Sequence, residues 1–105
     1  MAFICRRTPA SGGTVTNVRW RLTDGRTDVL SSPLALTRGG GCPQLNDYYN
    51  SHLIVATLYD SYSILNITAD DQLHGLIIEC VLISDNMPVE RETLQIQITR
   101  KMQLL

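Results

Sequence analysis

Apolar residues recur at every second position along most of this chain, and that period of two narrows its fold more than any other feature. Val18, Trp20 and Leu22 alternate with Asn17, Arg19, Arg21 and Thr23, and Leu94, Ile96 and Ile98 alternate with Thr93, Gln95, Gln97 and Thr99. Side chains of a strand point to opposite faces in turn, so each run offers one face to a core and one to water. No stretch carries the spacing of an amphipathic helix. Turn formers punctuate the runs at Pro9-Ala10-Ser11-Gly12-Gly13, Asp24-Gly25, Asp60-Ser61 and Asp85-Asn86-Met87-Pro88. The pattern predicts an all-β chain of two antiparallel sheets stacked as a sandwich.

Expected strands are Ala2 to Thr8, Val15 to Leu22, His52 to Tyr59, Tyr62 to Thr68, Leu76 to Ile83 and Glu92 to Thr99, with short edge strands at Val29-Leu30 and Leu34 to Leu36. Gly39 to Pro43 and Asn46 to Asn50 read as one long loop, and Ala69 to Gly75 as a polar crossover. At 105 residues the chain fits one domain spanning 1–105, which buries about two-thirds of its unfolded surface. A net charge of -1 gives no electrostatic reason to attract nucleic acid or an anionic membrane, so neither is an expected partner. The best apolar run, Leu53 to Tyr59, is interrupted by Thr57 and falls well short of the roughly 18 residues that span a bilayer. Met1-Ala2-Phe3-Ile4 is too short for a secretion signal, so an extracellular form is expected to have had its leader removed.

The three cysteines, Cys5, Cys42 and Cys80, are an odd number and leave two readings. In an oxidising compartment two pair and one is left over; in the cytosol all three stay reduced.

Cys5, Trp20 and Cys80, with Leu65 and Ile67 in Ser63-Ile64-Leu65-Asn66-Ile67-Thr68 and Ile67 thirteen positions before Cys80, resemble a variable-type immunoglobulin superfamily domain from Phe3 to Thr99. The resemblance implies an immunoglobulin-like β-sandwich in which Cys5 and Cys80 pair across the core, packed with Trp20, Leu65, Ile67 and Ile78. Such a bridge closes a loop of about 75 residues and is worth roughly 4 kcal/mol in the chain-entropy model. Two departures stand out. His74-Gly75-Leu76-Ile77-Ile78-Glu79-Cys80 puts Ile78 where the family favours tyrosine, so a tyrosine corner is absent. Cys5 also lies so near the start that strand A is expected to be short or missing, leaving backbone groups open to another chain. The run Leu65-Asn66-Ile67-Thr68, followed by Leu73-His74-Gly75 and Ile78-Glu79-Cys80, is similar to a variant in cell-surface proteins of early-branching animals, among them receptor tyrosine kinases and adhesion molecules.

Asn66-Ile67-Thr68 matches the N-glycosylation acceptor pattern, with Asn66 on the solvent side of its strand. The expected partner-binding face carries Arg19, Arg21, Glu79, Val81, Ile83, Gln95 and Gln97. Ile77, Val81 and Ile83 alternate with core residues and are expected as exposed apolar groups on it. Cys42 reads as a free thiol, an intermolecular bridge, or half of a pair whose partner lies upstream; its one nearby cation is Arg38, which argues against an activated nucleophile. His52 and His74 with Asp70 and Asp71 read as a solvated turn rather than a metal site, and Tyr48-Tyr49 as rim packing or a ligand contact.

No acid pair or nucleophile held by a third group is visible, so neither catalysis nor a cofactor is expected. The function expected is an extracellular recognition module of a receptor or adhesion molecule, meeting a protein partner on the cell surface, with a homodimer as the simplest case. The alternatives are a structural spacer domain and a secreted defence protein whose loops hold carbohydrate.

Overall fold

The computed structural model describes residues 1–8, 14–38 and 44–98, and these fold as β1 (Ala2–Arg6), β2 (Asn17–Thr23), β3 (Leu34–Thr37), β4 (Gln44–Tyr49), β5 (His52–Leu58), β6 (Tyr62–Ile67), β7 (Ile77–Ser84) and β8 (Met87–Gln95). They build two antiparallel four-stranded sheets, one in the order β1-β6-β5-β4 and the other β3-β2-β7-β8. The sheets stack as a β-sandwich, and the apolar face of each alternating run forms the interior. Val18, Trp20 and Leu22 come from β2, Ile54, Ala56 and Leu58 from β5, Leu65 and Ile67 from β6, and Ile78, Cys80 and Leu82 from β7.

Two ties cross the interior side by side. Cys5 of β1 and Cys80 of β7 form a disulfide between the sheets, with a Cα–Cα distance of 6.3 Å. Beside it, the Trp20 indole N–H donates to Ser63 Oγ at 2.8 Å. Cys5 is the cross-strand neighbour of Ser63, and Trp20 that of Cys80. Ser63 is fully buried, and its hydroxyl in turn donates to the Thr57 carbonyl. Burying the indole and the hydroxyl is tolerable because each has a partner.

Several boundaries differ from the sequence expectation. The segment expected as a loop over Asn46 to Asn50 is mostly strand: Gln44–Tyr49 pairs with β5. Its sequence, Gln-Leu-Asn-Asp-Tyr-Tyr, has no apolar alternation, so nothing in the pattern announces it. The strand forms because Asn50 and Ser51 take left-handed φ values of 47° and 67° and close a tight hairpin. Asp85 and Asn86 do the same between β7 and β8, with φ of 51° and 64°, so β8 begins at Met87 rather than Glu92. Val29-Leu30 is not a strand; the pairing beside it is an isolated bridge between Thr23 and Asp28. The polar crossover contains a single 3-10 turn, Asp71–Leu73, started by Asp70 Oδ1 accepting from the Gln72 N–H at 2.8 Å. Leu73 drops from this turn into the core.

Candidate recognition face

The outward face of the β3-β2-β7-β8 sheet gathers most residues of the expected binding surface. The register sets three rows across it: Arg19, Val81 and Arg91; Arg21, Glu79 and Thr93; Thr23, Ile77 and Gln95. Asn17, Ile83 and Pro88 form a fourth at the end where the β7–β8 register shifts between Leu82 and Ile83. Gln97 lies beyond the end of β8 and is exposed.

Ion pairs lace the middle rows. Glu79 accepts from Arg21 at 3.3 Å and pairs with Arg91 at 3.5 Å, while Arg21 also reaches Asp28 at 2.9 Å. The hydrogen bonds that Arg21 donates to Asp28, followed by the charge of Asp28 and that of Glu79, raise the Arg21 pKa above its ordinary value. Exposed pairs of this kind contribute little stability. Their effect is to fix where positive and negative groups sit. Arg91 and Asp28 were not legible as members of this set, because the pairing of β7 with β8 and the turn after β2 bring them in.

Val81 departs from the expectation of an exposed apolar centre. It is only 6% exposed, and Ile77 and Ile83 are half-buried. Val81 sits between Arg19 and Arg91 as cross-strand neighbours, and long basic side chains cover apolar surface with their aliphatic stems while keeping the guanidinium in water. The apolar residues are therefore a floor beneath a charged frame.

Asn66 points outward from the opposite sheet and is exposed, with Ala2 and Val55 as its cross-strand neighbours. Trp20, Leu65, Ile67 and Ile78 are all buried in the core. Cys42 and the loop over 9–13 lie outside the described residues. Tyr48 is exposed at the rim beside Leu53, while Tyr49 packs against the core.

His52 and Asp70 do meet, with Nε2 to Oδ2 at 3.0 Å, while His52 Nδ1 lies 3.1 Å from the Tyr49 carbonyl. With both ring nitrogens facing acceptors, the protonated imidazolium is favoured. The Asp70 hydrogen bond, first, raises the His52 pKa from its ordinary value despite the opposing effect of burial. His74 is engaged elsewhere: its Nδ1 accepts from the Ile98 N–H at 2.9 Å. Among the described residues no group of three or more histidine, cysteine or acidic side chains is placed to hold a metal ion, and no helix is long and apolar enough to cross a membrane.

Comparison with protein-family models, with curated proteins and with solved structures finds no match to this chain.

Proposed function

We propose that this chain is an extracellular recognition module, an immunoglobulin superfamily domain of variable type from a cell-surface receptor or adhesion molecule. It binds a protein partner through the outward face of the β3-β2-β7-β8 sheet, in the simplest case a second copy of itself. The observation that carries this reading is the charged frame over an apolar floor. Arg19, Arg21 and Arg91 stand beside Glu79 and Asp28 around Ile77, Val81 and Ile83. A face that carries both signs can meet its own copy across a two-fold axis, Arg21 and Arg91 exchanging an internal carboxylate for one on the partner. Family membership is supported by the cysteines on opposite sheets beside the indole of a neighbouring strand. An oxidising compartment is supported by the same bridge, and exposed Asn66 in an acceptor tripeptide fits a secreted route.

Sedimentation velocity over a wide concentration range tests the reading, in a Cys42→Ser background so that no intermolecular disulfide contributes. A reversible dimer that Arg19→Glu or Arg91→Glu dissociates is the expected result. A dimer indifferent to both substitutions, or a monomer at every concentration, refutes self-recognition. The spacer reading has one observation in its favour, the coverage of Val81 by a frame in which Arg21, Arg91 and Glu79 are already paired with one another. A strictly monomeric protein is its signature.

A further inference from the structure

Leu94 points toward the interior yet is 53% exposed. It is the cross-strand neighbour of Ile78, and Glu92 that of Cys80, so both stand on the core-facing side of β8. They are uncovered because the opposite sheet stops short. The disulfide sets β1, the last strand of its sheet, across from β7, so β8 overhangs it. The result is a cleft of about 200 Å³ between β1 and β8, lined by Phe3, Ile4, Trp20, Ile78, Glu92 and Leu94.

One wall of this cleft is an unguarded strand edge. Met1 exchanges backbone hydrogen bonds with Ile67, and the Arg7 N–H donates to the Ser61 carbonyl. The alternation of an antiparallel ladder therefore turns the N–H and C=O groups of Ala2, Ile4 and Arg6 away from β6, and among the described residues no strand lies on that side. The other sheet edges carry the usual protections. Four-residue β3 follows Pro33, β4 carries Asn46 and Asp47, and β8 has Pro88, a register shift opposite it and three charged residues from Glu90 to Glu92. By contrast Ala2-Phe3-Ile4-Cys5 has no proline, bulge or charge before Arg6, and Ile4 is 48% exposed.

We infer that this cleft is a docking groove for an extended segment of a separate polypeptide, which pairs with β1 as a fifth strand. A strand added about 4.8 Å beyond β1 lies over β8 and lays alternate side chains on Ile78 and Leu94. The chemistry of the groove specifies the occupant. Its floor is apolar, so the inward positions of the segment are apolar. Its charged liner is Glu92, which has no ion-pair partner among the described residues, so one inward position is lysine or arginine. Main-chain hydrogen bonds to Ala2, Ile4 and Arg6 supply affinity, and the alternate pockets supply selectivity.

A phage-displayed library of random seven-residue peptides, selected against the disulfide-intact protein, tests the inference; the most enriched sequence is then synthesised and titrated. Trp20 is the single tryptophan and lines the cleft, so its emission reports occupancy. The expected peptides alternate apolar residues with one basic residue. Their binding slows amide exchange at Ala2, Ile4 and Arg6, and weakens at least tenfold with Ile4→Pro, which removes an outward N–H without touching the β6 ladder. Glu92→Lys gives a second reading that does not disturb the backbone: it reverses the preference to an acidic residue. No enriched peptide, or peptides that bind wild type, Ile4→Pro and Glu92→Lys alike, overturns the inference.

Discussion

Replacing Ser63 by alanine is expected to cost far more than the loss of one hydroxyl on a serine ordinarily would. Ser63 Oγ is fully buried, accepts the Trp20 indole N–H at 2.8 Å and donates to the Thr57 carbonyl. Ser63→Ala leaves the indole N–H in the interior without a partner, a penalty of about 1–3 kcal/mol, and removes a second hydrogen bond worth about 0.5–1.5 kcal/mol. The combined loss is about 2–4 kcal/mol, a large share of the ~5–15 kcal/mol that holds a domain folded. Urea denaturation with the disulfide intact, followed by far-ultraviolet circular dichroism, measures it. Trp20→Phe in the same background completes a double-mutant cycle: with the donor gone, Ser63→Ala has no indole left to strand, so the two changes together cost less than their sum by about 1–2 kcal/mol. A Ser63→Ala loss below about 0.5 kcal/mol, or simple additivity with Trp20→Phe, would refute the claim that the polar tie holds the sheets together.

Three further outcomes are expected. Replacing Cys5 and Cys80 with alanine frees a loop of 75 residues and lowers unfolding free energy by about 4 kcal/mol on the chain-entropy model, measurable by the same denaturation; a loss under about 1 kcal/mol would contradict it. His52 has a pKa raised by its hydrogen bond to Asp70, so its contribution to stability is complete below the ordinary histidine value near about 6.5 and is lost as pH rises through the folded-state pKa. Thermal melts from acid to alkaline pH will show a decline over that window in wild type that His52→Gln lacks; equal pH profiles would exclude the contact. Expression through a secretory pathway will add glycan mass at Asn66, which peptide mass spectrometry detects and Thr68→Ala abolishes; an unmodified Asn66 would remove that support for a secreted route.

The sandwich was legible because its physics is periodic. Val18-Trp20-Leu22 and Ile78-Cys80-Leu82 state which side of each strand faces the core, and both triplets are buried. The Cys5–Cys80 bridge was legible through its resemblance to a known arrangement. What escaped depends on neighbours that the linear sequence does not name. Strand β4 has no apolar alternation and exists because Asn50-Ser51 folds it back on β5. Val81 looks like an exposed residue until the register places an arginine on each side of it. Ser63 reads as an ordinary strand serine, and only the fold brings it against Trp20. Leu94 has the right period for burial, but its exposure depends on where the opposite sheet ends.

The central proposal is that one sheet face of this sandwich recognises a protein partner, in the simplest case a second copy, and backbone amide spectra of the 15N-labelled Cys42→Ser protein test that simplest case most directly. Spectra recorded from dilute to concentrated solution are expected to show concentration-dependent shifts confined to Arg19, Arg21, Glu79, Val81, Ile83, Arg91 and Gln95. Shifts confined instead to the Asn66 side, around Val55 and Ile64, or spectra that do not change with concentration, would contradict it.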